Sequence, residues 1–421
     1  MPAAAEYFHQ SNHARLSEAS KAAAAGCVKN LSRWTNAVDE IRTWPEYEPQ
    51  PLRSLTNQAK RLGVSKLFFK DESKRFGPSL ASFKALGAPY AVYKILAHEV
   101  YSRTGVRPDA VELRSGKYRG ITERVTVCVA TDGNQGRGLA YGAKIFGCRC
   151  VDYIHNHVST GRTDMMKDLG AIVIRIDGEY EASVERAKED ALMNGWHFVS
   201  STSWSDFNSG IPQDVMNAYM VVVNEAIEAI PALNAITHVF VCGGVGSIAA
   251  AVFLGFYERL AQYSEGKLSK IPRFIVIEPS EADCLLQSAK KGEMSLSEGS
   301  LRTLMAGLAC RGPSPAAWKI LSWLASDFIA VPDSVAVDGM KHLANGCGDT
   351  PIVCGESSAA TMGVMLQSTN NPTLRESLGL DNNSQVVLFG LEGATDPTIY
   401  EQLVGLSPEE VFEAQRGFST L

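Results

Sequence analysis

The sequence predicts an α/β protein with two domains, each containing an open, twisted, mostly parallel sheet flanked by helices. At 421 residues the chain is longer than one compact hydrophobic core accommodates. Short apolar segments rich in valine, isoleucine and phenylalanine alternate with longer segments of helical composition, which is the pattern of parallel strands joined by crossover helices. Glycine-containing turns directly follow two of the apolar segments, as they do where a strand passes into a ligand-binding helix.

The individual elements are predicted from composition and from signals at their ends. Predicted strands are short and β-branched, while several predicted helices stop at a glycine and one starts near Pro212. The polar, basic segment 105–124 predicts a surface loop. The predicted strands are 125–130, 150–154, 172–176, 196–199, 239–242, 274–277 and 386–389. The predicted helices are 85–102, 138–146, 162–169, 180–194, 212–229, 248–262, 315–325, 334–342 and 357–367.

The composition excludes several classes of protein. A net charge of −6 provides no basic surface for nucleic acid or for an anionic membrane. No apolar run reaches the roughly 18 residues of a membrane span, and the N-terminus lacks the pattern of a signal peptide. Nine cysteines without paired spacing predict reduced thiols in a cytoplasmic protein. The close pair Cys148 and Cys150 fits strand packing, so no metal site is predicted.

The turn TDGNQGR at 131–137 is the most informative segment of the chain. It joins a predicted strand to a predicted helix, and its glycines leave backbone N–H groups available to an anionic ligand. Asp132 is unexpected there, because its carboxylate repels an anion. It would suit a ligand with an ammonium group, both as a counter-charge and as a proton carrier. The alternative is that Asp132 only caps the following helix.

A second glycine-rich turn consists of Gly243, Gly244, Val245, Gly246 and Ser247. It follows a predicted strand and precedes an apolar helix, so its consecutive N–H groups can bind a phosphate without a positive side chain. Dinucleotide-binding proteins also have such turns. Here, however, the spacing is not G-x-G-x-x-G, and the turn lies in the middle of the chain. The turn therefore predicts a phosphate site, with dinucleotide binding as the weaker alternative.

Lys84 is a candidate for covalent chemistry. It follows Ser82 and Phe83 at the start of an apolar helix and precedes several small residues. A lone lysine at a helix start is usually a surface residue, but these neighbours are poor ones for a solvated ammonium group. A partly desolvated lysine amine loses its proton more easily and can form a Schiff base with an aldehyde cofactor.

Eight segments complete the pattern. They are KDESKRFG at 70–77, SFKALGAPYAV at 82–92, ATDGNQGRG at 130–138, CGGVGS at 242–247, IEPSEADC at 277–284, MAGLACRGPSP at 305–315, GESSAA at 355–360 and LEGATDP at 391–397. Together they resemble the diaminopropionate ammonia-lyases, a family of fold-type II pyridoxal-phosphate enzymes related to the tryptophan synthase β chain. The similarity extends from Pro51 to Ile399, and the TDGN and KDESKRFG segments are its most specific parts.

The resemblance implies an architecture, a cofactor and a reaction. The expected architecture is a large domain of residues 1–83 and 209–421 with a small domain, 84–208, inserted into it. The expected cofactor is pyridoxal 5′-phosphate, and the expected assembly is a homodimer. Members of the family eliminate ammonia from 2,3-diaminopropionate, and the resulting enamine hydrolyses to pyruvate.

The resemblance also implies roles for individual residues. Lys84 would carry the cofactor and take the proton from Cα of the substrate, while Asp132 would protonate the departing amine. Asn134 would donate to the phenolate oxygen of the cofactor. The glycine-rich turn 243–247 would hold its phosphate. Phe83 and Thr395 are expected to be further cofactor contacts.

Two departures from the family pattern concern the surroundings of the cofactor. The segment between Gly77 and Lys84 is longer than in the family pattern, by about two residues, which reshapes the approach to Lys84. A Ser/Thr pair is expected near the pyridine nitrogen, but this chain has Gly390 and Leu391. That change leaves Thr395 or Glu392 as the substitute.

A third departure concerns the substrate. Ser201 stands where family members that act on the D-enantiomer have a second base, and Asp206 lies beyond Trp204. The sequence therefore predicts a preference for the L-enantiomer. It leaves open a second hypothesis, elimination from a β-hydroxy or other β-substituted amino acid. An NAD-dependent oxidoreductase and a non-catalytic ligand-binding protein are the alternatives from other classes.

Overall fold

The computed structural model describes residues 5–10, 31–131, 133–156, 158, 160–178, 180–199, 210–264, 268 and 270–418. These residues group into two compact units. The large unit takes the described residues of Met1–Leu31, Pro49–Lys74 and Val222–Leu421, and the small unit takes those of Ser32–Glu48 and Arg75–Val221. Within these described ranges, no helix is both long and apolar enough to cross a membrane.

The bounds of the two units differ from those expected for the two domains. Residues 32–48, which the sequence placed in the large domain, group with the small unit. The indole ring of Trp44 lies 6.1 Å from the ring of Phe76 and 5.8 Å from the ring of Phe146. This aromatic packing is the physical reason that the segment belongs to the small unit. The division into domains at residues 84 and 209 stays a prediction.

Among the described residues, eleven strands form two sheets. The strands are β1 Glu6–His9, β2 Leu52–Ser54, β3 Lys66–Asp71, β4 Thr126–Ala130, β5 Arg149–His155, β6 Ile172–Ile176, β7 His197–Phe198, β8 His238–Cys242, β9 Arg273–Pro279, β10 Asp327–Val331 and β11 Gln385–Gly390.

The large unit contains a seven-stranded sheet in the order β1-β10-β9-β8-β11-β3-β2. Its five central strands are parallel, and the two edge strands are antiparallel to their neighbours. Strand β8 is buried along its whole length, as expected for a parallel strand covered on both faces. Because β8 pairs with β9 and β11, the segments that follow these three strands are neighbours at the carboxyl edge of the sheet.

The small unit contains a four-stranded sheet in the order β6-β5-β4-β7, and all of its pairings are parallel. The mostly parallel, two-sheet α/β architecture predicted from the sequence is therefore confirmed. Strand β4 is central and fully buried. The turn that begins at Thr131 leaves the sheet from its carboxyl end.

Helices connect the strands in both units. They are α1 Leu31–Ile41, α2 Thr56–Arg61, α3 Lys84–Thr104, α4 Ala110–Arg114, α5 Arg119–Thr122, α6 Asn134–Phe146, α7 Thr160–Asp168, α8 Tyr180–Asn194, α9 Gly210–Ala218, α10 Met220–Ala229, α11 Ser247–Tyr263, α12 Cys284–Lys291, α13 Pro315–Leu324, α14 Asp333–Asn345, α15 Glu356–Asn370, α16 Pro372–Leu378, α17 Pro397–Val404 and α18 Pro408–Phe418.

The structure corrects two of the predicted elements. The segment 105–124, predicted as a surface loop, contains the short helices α4 and α5. A capping box between Asp109 and Glu112 satisfies the first N–H groups of α4, which explains a helix in a polar segment. The single helix predicted over 212–229 is two helices, α9 and α10, with Tyr219 between them.

Candidate active site

The glycine-rich turn of the large unit connects strand β8 to helix α11. The N–H group of Gly243 donates to the carbonyl oxygen of Ile277 in β9 at 2.8 Å, and that of Gly246 donates to the oxygen of Gly243 at 3.1 Å. Gly244 and Gly246 have φ angles of +62° and +94°, a conformation that glycine adopts without strain. The turn lies at the N-terminus of the 17-residue helix that begins at Ser247, where the helix dipole favours an anion.

A hydrogen-bonded network surrounds this turn. A Cβ atom at Gly244 would lie 3.5 Å from the carbonyl oxygen of Gly307 and 3.7 Å from Sγ of Cys310. The N–H group of Gly307 donates to Oγ of Ser357 at 3.3 Å, and the N–H group of Ser357 donates to Oε1 of Glu392 at 3.1 Å. These two hydrogen bonds connect three parts of the large unit: the segment around Gly307, the N-terminus of α15 and the residues after β11.

Thr395 belongs to the same edge of the large sheet. It lies in the turn between β11 and α17 and is buried, and its N–H group donates to the oxygen of Gly393 at 2.9 Å. Glu392, the other candidate partner for a ring nitrogen, uses its carboxylate to accept the N–H group of Ser357. Of the two candidate partners for a ring nitrogen in the turn after β11, Glu392 thus already accepts a hydrogen bond from the protein. Thr395, three residues later, is the other candidate.

Glu278 lies beneath the glycine-rich turn. Its side chain is fully buried, and a Cβ atom at Gly243 would lie 3.0 Å from Cγ of Glu278. The carboxylate accepts the N–H groups of Leu285 and Leu286, at 2.9 and 2.8 Å, in the first turn of α12. Burial raises the pKa of Glu278 from 4.5 to about 8, although these two hydrogen bonds oppose the shift.

This shifted pKa predicts a pH dependence of stability. Because the pKa of Glu278 is higher in the folded than in the unfolded chain, the folded protein holds an extra proton between pH 4.5 and about 8. The free energy of unfolding should fall as pH rises through this window, by at most about 1.4 kcal/mol per pH unit for one proton. Denaturant unfolding of Glu278→Gln across the window should show a shallower slope than that of the natural chain. The exposed Glu409→Gln is the control, and an unchanged slope in Glu278→Gln would contradict the prediction.

The left-handed conformation of Gly244 leads to a second prediction. Among the atoms of the described residues, none lies closer than 3.5 Å to a Cβ atom at this position, so Gly244→Val should fold. The valine destabilises the turn by about 1–3 kcal/mol through its positive φ, and its branched side chain occupies space above the N–H groups. We expect cofactor affinity, measured by titration of the cofactor-free protein, to fall more than about tenfold, equivalent to 1.4 kcal/mol.

Gly405 provides a matched control for this prediction. It has a φ angle of +85°, and no atom of the described residues lies within 4 Å of a Cβ position there. It is the residue that follows helix α17. Gly405→Val should therefore have the same kind of backbone strain and full cofactor affinity. Equal affinity in the two variants would show that the turn at 243–247 does not bind the phosphate.

Lys84 is the first residue of helix α3 and is half-buried. Its backbone N–H group donates to Oγ of Ser82 at 3.3 Å. The preceding Phe83 packs its ring against Tyr219, with 4.8 Å between the ring centroids. The backbone before Lys84 is thus held in place by a hydrogen bond and by an aromatic contact, which fixes where the lysine side chain starts.

Helix α6 packs directly on the first turn of α3. A Cβ atom at Gly138 would lie 2.8 Å from the backbone oxygen of Lys84, so the two helices can approach this closely only with glycine there. Asn134 is the first residue of α6, one helical turn before Gly138. The structure therefore brings Lys84 and Asn134 to the N-terminal ends of two packed helices.

Two residues near these positions were not predicted as site residues. Arg137 is buried in α6 and donates through Nη2 to Oδ1 of Asn134. Glu278 supports the glycine-rich turn. Both lie inside segments that the sequence singled out, TDGNQGR and IEPSEADC, and both are charged residues beside a candidate ligand turn. A charged residue beside a glycine-containing turn was therefore the sequence signal that could have identified both.

Several expected residues are not described. Asp132 lies outside the described residues, and so do Ser201, Trp204 and Asp206. Their assigned or missing roles stay predictions. Of the expected cofactor contacts that are described, Phe83, Lys84 and Asn134 belong to the small unit. The turn 243–247 and Thr395 belong to the large unit.

Comparison with known proteins defines the class of this chain. A family model described as "Pyridoxal-phosphate dependent enzyme" matches residues 43–389. The diaminopropionate ammonia-lyase of Escherichia coli (strain K12) is 36% identical over 365 residues, which cover 85% of this chain and 87% of the relative. The enzyme of Salmonella typhimurium is 35% identical over 372 residues, covering 86% of this chain and 89% of the relative. The chain is a pyridoxal-phosphate-dependent enzyme.

Solved structures agree with this class. The holo diaminopropionate ammonia-lyase of Escherichia coli superimposes with a TM-score of 0.82 and 31% identity, covering 96% of this chain and 98% of that structure. The same enzyme in complex with D-serine gives a TM-score of 0.80 and 30% identity over 95% and 97% of the two chains. Both have the fold-type II architecture expected from the motifs. This chain belongs to the diaminopropionate ammonia-lyase family.

Proposed function

We propose that this chain eliminates ammonia from 2,3-diaminopropionate. The reaction breaks the bond between Cβ and its amino group and removes the proton from Cα. The product 2-aminoacrylate then takes up water and releases pyruvate and a second ammonia. Similarity to diaminopropionate ammonia-lyases over 85% of the chain is the observation that carries the proposal. The positions of Lys84 and of the glycine-rich turn support it.

The residues present fit pyridoxal 5′-phosphate. Left-handed backbone at Gly244 and the N-terminus of α11 suit the phosphate, with Val245 and Ser247 completing the turn. Lys84 supplies the primary amine that binds the cofactor covalently. Once bound, the cofactor stabilises the negative charge that develops at Cα of the substrate. Phe83 and Thr395 would be further contacts, with the hydroxyl of Thr395 as the partner of the ring nitrogen.

Two different residues of the chain carry out the two proton transfers of the reaction. The amine of Lys84 takes the proton from Cα. Lys84 is the first residue of α3, and the close packing of α6 at Gly138 fixes the position of this residue's backbone. The carboxyl group of Asp132 gives a proton to the amine that leaves Cβ. Asn134 would donate to the phenolate oxygen of the bound cofactor. Before it carries this proton Asp132 is an anion, which favours a substrate with a second ammonium group over a neutral β-substituent and takes the proton from that ammonium group.

The assembly and location of the protein are part of the proposal. Homodimers are expected from the family resemblance, and mass measurement of the purified protein in solution tests this expectation. Eight of the nine cysteines lie in the described residues, and no two of these eight form a disulfide. Reduced thiols support a cytoplasmic location.

Asp132 provides the decisive test of the leaving group. General acid catalysis typically contributes about 10²–10⁴-fold to a rate. We expect Asp132→Asn to retain the cofactor and its visible absorbance while turnover of 2,3-diaminopropionate falls by this factor. Keto-acid release from pure L- and D-2,3-diaminopropionate and from L- and D-serine is the measurement. Equal loss of cofactor and activity would support the helix-cap role of Asp132 instead.

The same assay distinguishes the remaining hypotheses. The L-form of 2,3-diaminopropionate should react faster than the D-form by at least about 10²-fold, the usual effect of a missing general base. Comparable rates would point to Asp206 or another base. Faster release from serine than from 2,3-diaminopropionate would favour a β-hydroxy amino acid dehydratase. A protein without cofactor absorbance would overturn both lyase hypotheses.

A further inference from the structure

The amide of Asn134 has a defined orientation. Nη2 of Arg137 donates to its Oδ1 from one helical turn further along α6. A guanidinium group has donors only, so the amide atom that faces it must be the oxygen and not the nitrogen. The NH₂ group of Asn134 is therefore on the other side of the amide plane. The arginine thus determines which amide atom can donate to a ligand.

Arg137 is itself held by two other elements of the small unit. It is only 3% exposed. Its Nη1 lies 3.5 Å from the backbone oxygen of Ser79 and 3.5 Å from Sδ of Met165. A buried arginine with contacts to separate segments has little freedom to move, because its planar group must satisfy several partners at once.

The contact with Ser79 connects Arg137 to the approach to Lys84. Ser79 lies in the segment between Gly77 and Lys84. Ala81 in this segment has a φ angle of +42°, a conformation unusual for a residue with a side chain. The segment that leads into Lys84 therefore also supplies an acceptor to the arginine that orients Asn134. The same loop therefore contacts Arg137 and determines where Lys84 begins its helix.

We propose that Arg137 is a positioning residue for the cofactor, acting through Asn134. It orients the amide so that Nδ2 donates to the phenolate oxygen, and its positive charge polarises the amide and strengthens that hydrogen bond. The inference rests on the cofactor contact assigned to Asn134 in the proposed function. It adds a role for a buried cation that does not itself touch the cofactor.

The titration of the bound cofactor tests this role without an activity measurement. Visible absorbance of the holoenzyme, followed against pH, reports the proton on the nitrogen that joins the cofactor to Lys84. Loss of a nearby positive charge or donor favours the protonated form. We expect Arg137→Met to raise the midpoint by about half to one pH unit. Arg137→Lys keeps a positively charged group that acts only as a hydrogen-bond donor, so it should shift the midpoint of the absorbance titration less.

A double-mutant cycle separates an effect through Asn134 from a direct one. Asn134→Ala should raise the midpoint, and adding Arg137→Met to it should cause little further change, because both substitutions remove the same hydrogen bond. Arg103→Met is the control, since Arg103 is an exposed partner of Glu99 at the end of α3. Its midpoint should equal that of the natural chain.

The other outcomes overturn the inference in distinguishable ways. If Asn134→Ala shifts the midpoint and neither Arg137 variant does, Arg137 has no positioning role and the contact assigned to Asn134 survives. Full additivity in the double variant, or a shift only with Arg137, would show that Arg137 acts independently of Asn134. If neither residue affects the midpoint, the cofactor contact of Asn134 in the proposed function fails as well.

Discussion

Lys84→Ala should abolish turnover and covalent attachment of the cofactor while leaving the fold intact. The substitution removes both the amine that binds the cofactor and the base that takes the Cα proton, so a loss of at least about 10⁴-fold is expected. The fold should survive because α3 contacts its neighbour through the backbone of Lys84 at Gly138, and alanine favours a helix. Borohydride reduction followed by peptide mapping should label the peptide containing Lys84 in the natural chain and no peptide in the variant.

Lys94→Ala is the matched control, because Lys94 is a half-buried lysine of the same helix. It should keep the label and the activity. A label on Lys70 or Lys74 would contradict the assignment, and the structure gives reasons to expect neither. The amine of Lys70 has three acceptors at 2.7–2.8 Å. That of Lys74 donates to Gln415 at 2.7 Å and lies 4.5 Å from the ring centroid of Phe412.

The sequence predicted elements with strong local signals but missed others, including strands β1, β2, β3 and β10. Strand 172–176 and helix 180–194 match the structure residue for residue, because β-branched runs and closing glycines are local signals. Helix α6 begins at Asn134 and not at the predicted Gly138. Its first turn, Asn134 to Arg137, is polar and contains a glycine, so it has no apolar period to detect. The residues that bind a ligand are those that break the pattern of the element they belong to.

The candidate site was predictable as separate motifs but not as contacts. Lys84 and the turn at 131–137 were identified from their neighbours in sequence, and the packing of α3 on α6 at Gly138 was not. A glycine inside a helix indicates a close approach but does not name its partner. The support of the glycine-rich turn by Glu278 depends on two backbone groups in α12, and no local pattern specifies such a contact.

The largest feature that the sequence could not indicate is a buried charge cluster in the large unit. Nζ of Lys70 donates to Oε1 of Glu72 at 2.7 Å, to Oε2 of Glu225 at 2.8 Å and to the backbone oxygen of Gln50 at 2.8 Å. Lys70 and Glu72 are fully buried, and Glu225 is 6% exposed. Because Glu225 is 155 residues from Lys70 in the sequence, the KDESKRFG motif alone could not reveal its partner.

Lys70→Met should be strongly destabilising. The substitution keeps most of the side-chain volume but removes the cation from between two buried carboxylates, and breaking a buried ion pair costs about 3–5 kcal/mol. Denaturant unfolding of the natural chain and the variant measures this loss of stability.

Lys66→Met supplies the comparison that isolates the buried cluster. Lys66 is exposed at the first position of the same strand, β3, so the same substitution there should change the free energy of unfolding by less than about 0.5 kcal/mol. Adding Glu72→Gln and Glu225→Gln to Lys70→Met should recover part of the loss, since these three substitutions remove all three charges of the cluster. A cost for Lys70→Met that equals that for Lys66→Met, or no recovery in the triple variant, would mean that this cluster does not stabilise the large unit through its charges.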